Sequence, residues 1–292
     1  MATQSSVAVL PSPRRVPRLT VMPALPIAVL GLFVLAGLAA PFLSPYDPVR
    51  NDLINQLLPP AWVDGGSQSN LLGTDGFGRD VYTRLLYGAR VSLSVAAFSL
   101  LIAVTIGVVV GVVAGYVGGW VDSVLMRLVD IVNSVPTILL ALVLSAWIGP
   151  SFVMLVLVLG LLIWPRIARL IRGETMVLKK TDFVRYAEAI GVSSRVIVTR
   201  HVLRNVLPTL LVATTLEVGR VILLEASLSF LGAGLPAPQA SWGVMIDDGQ
   251  ALIATGWWVA LFPGLAITAV VLASNAFGDW LRDYLDPKTR QE

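Results

Sequence analysis

From Val91 to Val121 the chain carries no charged side chain at all. An α-helix rises about 1.5 Å per residue, so about 20 apolar residues cross the ~30 Å hydrocarbon core of a bilayer. Apolar runs of similar character stand at Leu25–Leu43, Met126–Trp147, Phe152–Ile171 and Trp257–Trp280, with a less apolar one at Asn205–Leu231. Hydrophobic residues make up 56% of the 292 and charged residues 13%, against about 25% charged in soluble domains. In lipid each backbone N–H and C=O has to be satisfied within its own segment, which favours helices. The expected fold is an all-α polytopic membrane protein with six transmembrane helices and both termini on one side.

The side is set by charge. Trp164 to Pro208 is a polar stretch between two apolar runs, and from Arg172 to Arg204 it holds Arg172, Lys179, Lys180, Arg185, Arg195, Arg200 and Arg204. Positive loops stay on the cytoplasmic side. The expected organisation is a cytoplasmic tail at 1–23, a first transmembrane helix at 24–44, and an external loop at 45–90 that closes on an amphipathic helix. A five-helix core at 91–281, containing the cytoplasmic loop 172–204, and a cytoplasmic tail at 282–292 complete it. The external loop holds four Lys/Arg spread along its length, so the asymmetry still points 172–204 inward.

Within that loop Thr181 and Asp182 are suited to capping a helix start. Phe183, Tyr186, Ala187 and Ile190 then share one helical face, and Gly191 can end the helix in a left-handed conformation. Elsewhere Gly107, Gly111, Gly115 and Gly119 recur every fourth residue, which permits close helix approach. Arg166, Arg169 and Arg172 form a basic stripe suited to anionic lipid head groups. Arg127 and Asp130 can pair at i,i+3. Glu217, Arg220 and Glu225 lie in an otherwise apolar run, where charges pair or face water inside a bundle; the trio either lines a path or makes an ion pair between helices. Ala240–Ile246 is apolar enough to dip back against the bundle.

Several functions are excluded. With no cysteine and one histidine, His201, disulfides, thiol catalysis and multi-histidine metal sites are ruled out. The net charge of +3 is small, and the basic loop has only two aromatics, unlike a nucleic-acid surface. No G-x-x-x-x-G-K-[S/T] phosphate loop occurs, and no acid–base cluster is present. An ion-coupled secondary transporter would want a polar midplane site beyond Glu217, Arg220 and Glu225. A membrane enzyme acting on lipids would want a compact Asp/His/Glu constellation.

The segment 164–208 resembles the signature loop of type I ABC-transporter permease subunits, Glu-Ala-Ala…Gly…Ile-x-Leu-Pro. The dipeptide/oligopeptide/nickel branch, and its C-type dipeptide permease subunits, fit best. Counted back from Gly191, the first three positions fall on Arg185, Tyr186 and Ala187; Arg200-His201-Val202-Leu203, Asn205 and Leu207-Pro208 keep the branch text. Further similar blocks are Leu71 to Leu93 (LLGTD…GRD…R…GAR…SL), Glu225 to Gly232, Ser241-Trp242-Gly243 and Gly278 to Pro287.

The resemblance implies a type I importer fold and a non-catalytic permease working by alternating access in a bacterial cytoplasmic membrane. It pairs with a second homologous permease, two ATP-binding cassette ATPases that use ATP and Mg, and an extracytoplasmic substrate-binding protein; the chain itself binds no cofactor or metal. It makes Asp182, Phe183, Arg185, Tyr186, Ala187, Glu188, Ala189, Gly191, Arg200 and His201 candidates for ATPase contact, Glu217, Arg220 and Glu225 for the translocation path, and Trp242, Asp247 and Asp248 for contact with the binding protein.

Overall fold

The computed structural model describes residues 23–285, so the expected tails lie almost wholly outside the described residues. Among these residues the regular elements are all helical: α1 (Ala24–Leu38), α2 (Ala40–Leu43), α3 (Val81–Val117), α4 (Gly119–Ser134), α5 (Thr137–Ile148), α6 (Phe152–Lys179), α7 (Asp182–Ala189), α8 (Ser194–Val196), α9 (Leu203–Phe230), α10 (Trp242–Gln250) and α11 (Trp258–Leu285). A π-helical stretch, Ile197–Val202, fuses α8 to α9 into one run of 37 residues from Ser194 to Phe230. Among the described residues four helices are long and apolar enough to cross a membrane, and the α4–α5 pair, bent by 85°, passes the same test when the two are taken together.

Three expectations need correction. The amphipathic helix expected to end near residue 90 is instead the first part of α3, whose 37 residues extend about 55 Å. Its early turns look amphipathic in sequence because α10 and the outer loop bury one side of them, leaving Val81, Thr83, Arg84 and Ala89 inaccessible. Gly88 does not interrupt it, since a Cβ there would lie 2.8 Å from Cδ1 of Trp242. The span expected over Met126–Trp147 breaks at Val135-Pro136: a residue before proline is pushed to extended backbone, and Val135 has φ −97° and ψ 135°. The first apolar run is a 15-residue α1 followed by the single turn α2, because Pro41 brings no N–H to continue the ladder.

The centre of the bundle is the seam between α3 and α6. A Cβ on Gly107 would lie 2.7 Å from Ile167, one on Gly111 2.6 Å from the Ala168 carbonyl, and one on Gly115 2.7 Å from Thr175. Gly160 of α6 meets Ile102 in the same way. The glycine stripe therefore brings the two backbones together, as its spacing predicts. Gly119 is the exception: it opens α4 at φ +59° and faces nothing within 4 Å. Because the contacting numbers rise together on both helices, α3 and α6 run parallel, and the chain between them has to return through α4 and α5. Contacts of Gly219 with Val271 and Ser274, and of Gly278 with Leu216, make α9 and α11 antiparallel.

The bundle thus has two ends. At one sit the end of α2, the start of α3, the end of α9, α10 and the start of α11, covered by an outer cap of residues 44–80. At the other sit the ends of α3 and α6, with α7 and the start of α9. The cap has little regular structure, as its Pro and Gly content predicts, but it is tied down. Thr74 Oγ1 donates to the Asn55 carbonyl at 2.6 Å and accepts from Leu58 N at 2.8 Å. Trp258 Nε1 donates to the Thr74 carbonyl at 2.9 Å.

Candidate functional site

At the α7 end the short helix is held from behind. Val184 is fully buried and Ala187 packs against the core. The Tyr116 hydroxyl lies 3.2 Å from Glu188 Oε1, and Lys179 Nζ donates to the Tyr116 carbonyl at 2.6 Å, pinning α7 beside the ends of α3 and α6. Gly191 terminates the helix as expected, at φ +82°. The Val192 N–H reaches back to the Ala187 carbonyl and the Gly191 N–H to that of Glu188, each at 3.0 Å, which is the Schellman pattern. The Thr181/Asp182 side-chain cap is not made; the Thr181 hydroxyl donates backward to the Leu178 carbonyl.

Of the face predicted as apolar, Ala187 turns inward and the rest points outward: Phe183, Tyr186 and Ile190 are 43%, 71% and 80% exposed. Sequence periodicity found the stripe and missed that Val184 is the anchoring residue. Asp182, Arg185 and Ala189 are exposed around it. The Phe183 ring stands 6.0 Å from His201, which lies with Arg200 in the π-helical stretch. The ten residues proposed for ATPase contact therefore lie in one neighbourhood, built on α7 and the start of the α9 rod.

The arginine stripe on α6 is engaged in ion pairs. Arg172 makes a two-pronged contact with Asp122, at 2.5 and 2.7 Å, Arg169 reaches Asp130 at 2.8 Å, and Arg166 lies 3.6 Å from Glu217. These pairs clamp α4 and α9 to α6. Asp130 is thus taken by α6, and the expected Arg127–Asp130 pair does not form. Glu217 and Arg220 approach only to 4.0 Å.

Glu225 does not join them. It is 0% exposed, and its carboxylate accepts hydroxyls from Ser241 at 2.8 Å, Ser229 at 3.0 Å and Ser92 at 3.1 Å. A buried charge is tolerable only with such partners, so Glu225 is tied into the packing and cannot line an open path in this conformation. The neighbouring cleft of about 490 Å³ is apolar, lined by Ile138, Leu223, Phe230, Leu231 and Ile267 among others.

The outer loop expected at 233–256 contains α10, which dips back against the bundle as its apolar start predicts. Trp242 is fully buried, its indole donating to the Leu85 carbonyl at 3.1 Å and standing edge-on to Phe33, so it is not presented to a partner. Asp248 is no free loop carboxylate: its Oδ2 accepts from Arg79 at 2.9 Å and Arg84 at 3.0 Å. Asp247 accepts from Gln250 at 2.6 Å. Asp75 completes the knot, accepting from Arg84 at 2.6 Å, from Arg79 Nε at 2.7 Å, and from the N–H groups of Phe77 and Arg79 at 2.8 and 3.0 Å. Sequence reasoning assigned Arg79 and Arg84 no partner. The spacing of Asp75 and Arg79 was a signal for a local pair, but nothing in it named Asp248 as the distant partner.

Residues 107–291 match the family described as binding-protein-dependent transport system inner membrane component. The chain belongs to that family. This inner membrane component is similar to the dipeptide transport system permease protein DppC of Escherichia coli, 44% identical over 90% of this chain and 87% of that one. DppC of Bacillus subtilis is 40% identical over 91% and 83% of the two chains. A putative peptide transport system permease protein of Brucella abortus is 40% identical over 89% and 86%. Among solved structures, an amino acid ABC transporter crystallised with histidines matches 72% of this chain and 94% of its own, with TM-score 0.51 at 15% identity; that likeness shows the permease fold. The resemblance drawn from the motifs is borne out, and the chain is a multi-pass membrane component of an ABC import system.

Proposed function

We propose that the chain is one of two paired permeases of an ATP-driven importer of dipeptides or oligopeptides in a bacterial cytoplasmic membrane. The exposed apolar strip Phe183–Tyr186–Ile190, on a helix fixed from behind by Val184, carries the reading. The fixed helix is a lever head whose apolar strip is left uncovered among the described residues. The peptide class comes from the names of the similar permeases.

In this reading the chain crosses the membrane six times: α1 with α2, α3, the bent α4–α5 pair, α6, the Ser194–Phe230 rod and α11. The alternating directions of these elements support it, and in this reading the first and last described helices begin and end on the side of the basic α7 end, the cytoplasmic side. ATPase subunits, which alone bind ATP and Mg, dock on α7. Their closure swings it, and the paired permeases turn between inward- and outward-facing states. A binding protein delivers the substrate to the outer cap.

The test is co-expression of the tagged chain with its partner permease, ATPases and binding protein, followed by uptake and ATP hydrolysis assays. A Cβ at Gly191 meets nothing within 4 Å, so Gly191→Asp acts only through the positive φ, at a cost of about 1 kcal/mol, and by placing an acid beside the docking strip. Uptake is expected to fall while insertion stays normal, and charge reversal at Arg185 and Glu188 to act the same way. Normal uptake in both variants overturns the docking role.

A further inference from the structure

Glu225 is a fully buried carboxylate near the outer end of the α9 rod, and its three hydroxyl partners come from three elements. Ser229 belongs to α9 itself, Ser92 to α3, and Ser241 is the N-cap of α10. Two of these hydroxyls pass the grip onward. Ser241 Oγ, which donates to Glu225, accepts from Val244 N at 3.2 Å; Ser92 Oγ, which also donates to Glu225, accepts from Trp242 N at 3.2 Å. The first turn of α10 is therefore oriented through this carboxylate. Its backbone lies against α9 as well, since a Cβ on Gly243 would stand 2.6 Å from Ala226 Cα. The far end of α10 carries Asp248, held by Arg79 and Arg84 at the junction of α3 and the cap.

These contacts form one mechanical line. It starts at the π-helical stretch beside α7, follows the unbroken Ser194–Phe230 helix, and ends in α10 and the outer cap. We propose that Glu225 is the positioning residue that joins the α9 rod to α10, so that movement of α7 sets the position of the outer cap and occupancy of the cap is reported back to α7. The inference rests on the transport reading above and deepens it. A hydrophobic contact alone would let α10 slide. A carboxylate with three directional hydroxyl donors fixes its azimuth and height, because losing any one donor leaves a buried polar group short of a partner.

The test uses the assembled importer with its binding protein, and compares ATP hydrolysis with and without substrate-loaded binding protein. Variants are studied in a complex whose wild-type form is stimulated, so a failure of the joint is read separately from a failure of the transport reading. Glu225→Ala is expected to keep ATPase co-purification and basal hydrolysis while stimulation falls about ten-fold, within the usual range of coupling between sites. Glu225→Gln keeps an oxygen for the Ser241 hydroxyl and is expected to recover part of it. Ser241→Ala removes one hydroxyl, leaves the apolar packing of α10 intact, and is expected to lower stimulation in the same direction. Wild-type stimulation in the Glu225→Ala or Ser241→Ala complex overturns the proposal. So does equal loss of basal and stimulated hydrolysis in Ser241→Ala, since that marks a merely structural role.

Discussion

Asp75→Ala is expected to release the outer cap. Four donors converge on this one carboxylate, and two of them are guanidinium groups that are almost wholly buried. Without it, Arg79 and Arg84 share only Asp248, which is partly exposed. Removing one partner of a buried ion pair costs about 3–5 kcal/mol, because the remaining charge stays desolvated. The cap's other ties are loop hydrogen bonds, such as Asp52 N to the Phe77 carbonyl and Ala61 N to the Leu71 carbonyl, one 3-10 turn and the Trp258 indole, and none of them neutralises the two guanidinium charges. Limited proteolysis should therefore cut the 44–80 segment much faster in Asp75→Ala than in the parent chain, and the melting transition in detergent should move down. Asp75→Asn, which keeps the shape and one acceptor oxygen, should fall between the two. Equal protease resistance of parent and Asp75→Ala would show that the knot does not hold the cap.

The second large effect is expected on the opposite end. Tyr186→Asp combined with Ile190→Asp places two charges on the strip proposed to enter a groove of an ATPase. Central interface anchors are worth about 2 kcal/mol or more each, or roughly 30-fold in affinity per residue. Both side chains are exposed and touch little of their own chain, so membrane insertion and melting should stay at parental levels while ATPase co-purification and uptake are lost. An apolar pair of similar size, Tyr186→Phe with Ile190→Leu, should retain both. Full co-purification of the double aspartate variant would move the docking surface off α7.

Much of this was legible in the sequence, for stated physical reasons. Lipid leaves so few backbone solutions that charge-free runs gave the helices of the bundle. Glycines four apart gave the α3–α6 seam, and Gly191 gave the end of α7. What escaped were the features that depend on which helix stands beside which. Arg166, Arg169 and Arg172 read as a lipid-facing stripe because Asp122, Asp130 and Glu217 lie far off in the chain. Glu225 read as a companion of Glu217 and Arg220 because they are helical neighbours, whereas two of its three actual partners, Ser92 and Ser241, are small hydroxyls on other elements with no periodic signal. Trp242 read as a partner contact although it lies in the apolar Ala240–Ile246 stretch, because that stretch announces an inward dip without naming Leu85 and Phe33 as what the indole meets. On α7 the stripe was seen correctly, but amphipathicity does not say whether the apolar face meets its own chain or another.

The chain has no cysteine, so a single Tyr186→Cys thiol reports the side and the neighbour of α7 directly. In intact cells co-expressing the ATPases, a membrane-impermeant maleimide is expected to leave this thiol unlabelled and to label a Tyr46→Cys control in the outer cap. After permeabilisation a short bifunctional reagent is expected to join Tyr186→Cys to an ATPase. Labelling of Tyr186→Cys from outside intact cells, with Tyr46→Cys protected, would contradict the account.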